Sequence, residues 1–95
     1  MRHARPLTLD ALGDLLESIR RDRRLTERRK GAFYRGQSAF LHFHEDDVGL
    51  YADLRTGVGW ARVPVASAQQ RRGLLAQVLA TLDLRERWSA DPCGW

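Results

Sequence analysis

Residues 38–54 read Ser38-Ala39-Phe40-Leu41-His42-Phe43-His44, then Glu45-Asp46-Asp47-Val48-Gly49, then Leu50-Tyr51-Ala52-Asp53-Leu54. The first and last of these segments alternate with a period of two, the repeat of an extended strand whose side chains point to opposite faces in turn. Leu41 and Phe43 fall on one face, and Phe40, His42 and His44 on the other. The acidic, Gly-ended stretch between them is a turn. Working outward, Lys30–Arg35 is an earlier strand across the Gly36-Gln37 turn, and Val58–Val65 a later one across Arg55-Thr56-Gly57. Pro64 has no amide hydrogen, so the last strand ends there or lies at an edge. Turns this short favour an antiparallel meander.

Helical signals flank the strands. Leu9, Leu12, Leu15, Leu16 and Ile19 recur at helical spacing, with Thr8 as the expected N-cap after Pro6. Asp10 and Asp14 come early and Arg20, Arg21, Arg23 and Arg24 late, as the helix dipole favours. Gly13 weakens this helix by about 1 kcal/mol relative to Ala, and its end is expected near Asp22–Arg24. At the other end, Ser67 and Gln70 form a capping box. Leu74, Leu75, Val78, Leu79 and Leu82 make the stripe of a helix running from Ala68 to about Leu84, with Trp88 folding back. The expected fold is α+β: a two-layer sandwich in the order α-β-β-β-β-α. A four-stranded antiparallel meander sheet carries the N- and C-terminal helices on one face. Residues 1–95 form one domain, with irregular tails at 1–6 and 89–95.

Ninety-five residues, 43% hydrophobic and 29% charged, hold one modest core. An α/β barrel and a two-domain dinucleotide enzyme are excluded by length. No apolar run approaches a membrane span. Leu7–Leu16 is broken by Thr8, Asp10 and Asp14, a poor signal-peptide core, so the expected location is the cytoplasm. Cys93 is the single cysteine, which forbids an internal disulfide and a Cys-based zinc site. The net charge is +4, with 16 Lys and Arg residues of which only Lys30 is lysine. A basic chain of this kind admits a nucleic-acid partner, although Arg, Ala and Leu richness is also what a GC-rich coding sequence yields without any such partner.

Strand parity sorts the sheet. Leu41, Phe43, Leu50, Leu54, Ala61, Val63 and Val65 belong under the helices. Phe40, His42, His44, Tyr51, Asp53, Trp60 and Arg62 belong on the opposite, open side. A two-residue turn at Asp46-Asp47 sets His42 opposite Tyr51 and Phe40 opposite Asp53. A four-residue loop, Asp46–Gly49, sets His42 opposite Asp53 and His44 opposite Tyr51. Either register keeps the same residues on the same side; an odd bulge would break the pattern.

A contiguous aromatic patch on an open face marks an interface. The expected function is a small binding or interaction module using His42, His44, Tyr51, Asp53, Trp60, Arg62 and Arg35, with a second copy of the chain as its expected partner in a homodimer. The second reading is nucleic-acid binding, with rings stacking on bases and Arg35 and Arg62 reaching phosphates. The cluster Arg20–Lys30 adds cations to it, though a solvated loop after a helix is its simpler meaning. The third reading is a metal-dependent enzyme in which His42, His44 and Asp53 hold zinc or another divalent metal, or in which a His42–Asp53 pair acts as general base. No nucleophile elbow, P-loop or H-E-x-x-H occurs, so no catalytic residue is assigned. His3 is expected in a frayed terminus.

The segment Phe33-Tyr34-Arg35-Gly36-Gln37-Ser38-Ala39-Phe40-Leu41-His42-Phe43-His44-Glu45-Asp46, continued by Asp53-Leu54-Arg55, resembles a stretch found in small bacterial proteins of no established activity. The element order is similar to that of YjbR/MmcQ-like domains, with Phe33, Gly36 and Phe40 in matching places. Gln37 and Ser38 stand where those domains carry a lysine, and the C-terminal half departs from them. That resemblance implies an α+β architecture; the DNA binding suggested for those domains would pass to this chain only as an analogy of fold.

Overall fold

The computed structural model describes residues 2–57 and 59–89. Its elements are β1 (Arg2–His3), α1 (Pro6–Asp10), α2 (Gly13–Arg20), β2 (Thr26–Arg29), β3 (Ala32–Arg35), β4 (Ser38–Glu45), β5 (Leu50–Thr56), β6 (Gly59–Pro64) and α3 (Ala68–Ser89). The fold is α+β with an antiparallel sheet and helices at both ends. The sheet runs β2-β3-β4-β5-β6, with β1 paired to β4 off that path.

The expected meander of four strands is therefore one strand short, even without the two-residue β1. The added strand, Thr26-Glu27-Arg28-Arg29, falls in the segment read as a loop. It carries no apolar residue to announce its period. Its inward residue, Glu27, is held instead by the Arg20 guanidinium at 2.6 and 3.0 Å and by the Gly31 amide at 3.0 Å. Gly31 makes the tight β2–β3 turn. Its φ is +78°, and a Cβ there would stand 2.7 Å from the Leu9 side chain; only glycine meets both demands without strain.

Three further corrections concern the N-terminus. Of the tail expected to be irregular at 1–6, the described residues are ordered: β1 pairs with β4, and the Ala4 amide donates to the Phe43 carbonyl at 2.9 Å. The single expected helix is two, because Leu12 leaves helical geometry at φ −97°, ψ 18°. The break is tight enough that Leu9, Leu12, Leu15, Leu16 and Ile19 are all buried. Thr8 is not the N-cap; Arg5 is. The Thr8 hydroxyl donates instead to Glu45 Oε2 at 2.8 Å, and the Arg5 amide and Nε donate to Glu45 Oε1 at 2.8 and 2.9 Å. Those donors hold the Glu45 carboxyl down to about 2, the Arg5 backbone amide contributing most.

The capping box forms as expected: the Gln70 amide donates to Ser67 Oγ and the Ser67 amide to Gln70 Oε1. The helix it opens, α3, continues past Leu84 to Ser89. Leu74, Val78 and Leu82 pack inward, whereas Leu79 is exposed. The buried apolar residues of α1, α2 and α3 join Phe33, Phe40, Leu41, Phe43, Ala52, Leu54 and Val65 in one cluster. The expected fold-back of Trp88 and the expected irregular tail beyond Ser89 lie outside the described residues or side chains. Among the described residues, no helix is long and apolar enough to cross a membrane.

Candidate functional site

Register decides what the open side of the sheet carries. Asp46 closes the four-residue loop: its Oδ1 accepts the amides of Val48 at 2.9 Å and Gly49 at 2.8 Å, and its own amide donates to the Gly49 carbonyl at 3.0 Å. His42 accordingly faces Asp53, and His44 faces Tyr51. On the next strand, Asp53 faces Arg62, Arg55 faces Trp60 and Tyr51 faces Pro64. His42, His44, Tyr51, Asp53, Trp60 and Arg62 thus share the side away from the core, as alternation predicts.

Two expected members do not belong there. Phe40 is 0% exposed and part of the core. The β3–β4 register steps from Phe33↔Leu41 to Tyr34↔Ala39, leaving Phe40 as the extra residue of a bulge that turns its ring inward. The bulge arises in β4 near the Gly36-Gln37 turn. Arg35 follows Tyr34 and so turns to the helix side, where its charge helps lower the Asp22 carboxyl, after the larger effect of Arg24.

The same face holds residues that alternation around Leu41 did not bring in. Tyr34 enters from β3, and Arg28 from β2 lies over its ring with 4.4 Å from guanidinium carbon to ring centre. Arg29 pairs with Ala32, which pairs with His42. Arg55 lies over the Trp60 ring at 5.5 Å. His3, expected to fray, is set beside His44 by β1. The signal for Tyr34 and Arg55 was present in the strand periods; that for Arg28, Arg29 and His3 was not, because their strands lack apolar alternation.

The rings touch in sequence. Tyr34 and His42 have centroids 6.1 Å apart, His42 and Trp60 5.8 Å, His42 and His44 6.2 Å, and His3 and His44 6.4 Å. Trp60 remains 47% exposed. Burial, followed by the charges of His44 and His3, pushes the His42 imidazole below its ordinary value.

Asp53 is the hub of the polar part. Arg62 grips it with Nε to Oδ1 at 2.8 Å and a terminal nitrogen to Oδ2 at 3.0 Å. His44 Nε2 lies 3.1 Å from Oδ2. The Arg62 hydrogen bonds are the main reason the Asp53 carboxyl is lowered. The structure therefore brings His42, His44 and Asp53 together without making them a ligand set. Both carboxylate oxygens are taken by Arg62, and among the described residues no group of three or more His, Cys, Asp and Glu side chains is arranged to hold a metal ion. The imidazole that reaches Asp53 is that of His44, not the expected His42.

The expected basic cluster divides. Arg20 pairs with Glu17 and Glu27, Arg24 with Asp22 and Asp83, and Lys30 with Asp10; Arg28 and Arg29 go to the open face. No protein-family model matches the chain, and no curated protein or solved structure does so.

Proposed function

We propose that the chain is a small binding module working through the open side of its sheet, and that the occupant is single-stranded nucleic acid. One observation carries the reading. The rings of Tyr34, His42 and Trp60 follow one another across the strands, with the Arg28 and Arg55 guanidiniums lying over the first and the last. Ring faces stack on unpaired bases of any sequence, and guanidiniums meet phosphates. A duplex hides its base faces, so the rings would gain nothing from it. Among the described strand residues of this side, Asp53 is the one carboxylate against Arg28, Arg29, Arg55 and Arg62. A second copy of the chain, the partner favoured by sequence reasoning, would set two faces of the same charge against each other.

Fluorescence anisotropy with a labelled single-stranded oligonucleotide, a duplex of equal length and a polyphosphate competitor tests the proposal. The single strand is expected to bind most tightly and to weaken with salt. Trp60→Ala should cost about 1–3 kcal/mol, the worth of one stacked base. Arg55→Ala should lower the slope of log affinity against log salt by about 0.7, one phosphate contact on a single strand. Absence of binding at low salt would remove the reading. A concentration-dependent dimer in sedimentation, abolished by Trp60→Ala, would give the face to a second copy instead.

A further inference from the structure

The nucleic-acid reading leaves one part of the face without a role: its row of imidazoles. His3 on β1, then His44 and His42 on β4, stand in line with ring centres 6.4 and 6.2 Å apart. Each has a ring nitrogen closed off from solvent and, among the described residues, unpartnered: Nδ1 of His3, Nδ1 of His44 and Nε2 of His42. The groups facing the row come from every neighbouring strand. β2 contributes Arg29 and β3 contributes Tyr34; β5 contributes Asp53 and Tyr51, and β6 contributes Arg62 and Trp60. The one carboxylate in that surround, Asp53, is already held by Arg62 and touched by His44.

A proton taken up by this row therefore adds positive charge that the face itself leaves uncompensated. Three such charges within this spacing also repel one another. A chain of phosphates lying over the sheet supplies the missing negative charge. Resting on the nucleic-acid reading, we propose that His3, His42 and His44 make the face proton-gated. Protonation of the row and binding of a nucleic-acid strand reinforce each other, so the strand is held tightly in mildly acidic solution and loosely above neutrality. The lowering of the His42 imidazole agrees with this: without a ligand, burial and its two histidine neighbours hold its proton off. Linkage makes the coupling reciprocal, so the ligand must draw protons onto the protein.

The test has two arms. Calorimetric titration of the wild-type chain with a single-stranded oligonucleotide near neutral pH, repeated in two buffers of different ionisation enthalpy, reads the protons taken up. Uptake of a substantial fraction of a proton is expected, and none would overturn the proposal. In the second arm, the affinity for the same oligonucleotide is measured at acidic and alkaline ends of the imidazole range at fixed ionic strength. The wild type should bind about tenfold more tightly at the acidic end. The double variant His3→Gln, His44→Gln, which leaves the stacking row of Tyr34, His42 and Trp60 intact, should keep its alkaline affinity and lose much of the acidic gain. His3→Gln alone, at the rim, gives a smaller loss if the double variant does not fold. A strand that binds equally at both ends, or a pH dependence unchanged in these variants, sinks the gating and leaves the binding face standing. No binding at any pH removes the face itself.

Discussion

Phe40 shows how much one residue of register is worth. Plain alternation sends its ring to the open side with His42 and His44; the bulge in β4 sends it into the core, where it is 0% exposed. The two placements predict different mutants. Phe40→Ala should cost about 3–5 kcal/mol in a denaturant titration, the range for an emptied aromatic core site. A loss below about 1 kcal/mol, the scale of ordinary surface change, would return the ring to solvent. Glu45 is the other residue whose role alternation misjudged. It was read as part of an acidic turn, yet it is buried and accepts hydrogen bonds from both Arg5 and Thr8. Its carboxyl is lowered from 4.5 to about 2. Its folded form therefore binds fewer protons than its unfolded form between those values. The stability it contributes is fully present above 4.5 and is lost as pH falls towards 2. Thermal melts across that window should fall steeply for the wild type. Glu45→Gln should start from a lower melting temperature at neutral pH and decline less; parallel declines would show that Glu45 is not the group responsible.

At the scale of elements, periodicity was most legible where an element buries apolar side chains. β4, β5, β6 and α3 all announce themselves, and the capping box of Ser67 and Gln70 marks the start of α3 to the residue. β2 is invisible by the same logic, since its inward position is filled by Glu27 and neutralised by Arg20. The hairpin that docks it depends on Gly31, which has a positive φ and the Leu9 side chain against its Cα. Gly31→Ala should cost roughly 1–3 kcal/mol from backbone strain alone, with the contact to Leu9 adding to it. Hydrogen exchange should show faster opening of β2 amides than of β5 amides in that variant. Equal protection of the two strands would mean that the turn does not control the edge.

For the whole molecule, the decisive feature is that all three helices share one core with one side of the sheet. Helices and sheet should unfold together, so far-ultraviolet circular dichroism and ring fluorescence are expected to trace one transition. Leu82, 0% exposed on α3, should lose about 2–5 kcal/mol as Leu82→Ala, with both probes shifting equally. Separate transitions would show that α3 docks independently of the sheet. The shared core also frees the opposite side of the sheet, and with it the rings and guanidiniums that support the binding proposal.

The α+β class, the antiparallel pairing and the open-side placement of His42, His44, Tyr51, Asp53, Trp60 and Arg62 were readable from the order of residues. All of them follow from local period and from short turns, which neighbours along the chain dictate. The rest needed contacts between distant segments. Arg2–His3 becomes a strand because β4 extends beyond the start of β3 and offers it an edge, and Glu45 then holds Arg5 beside it. Arg28 and Arg29 reach the face because an ion pair, not a hydrophobic stripe, anchors their strand. Asp53 is claimed by Arg62 and His44, rather than left as a ligand, because cross-strand spacing brings them within hydrogen-bonding reach. Pairing energies of that kind depend on three-dimensional distance, and residue order alone does not encode it.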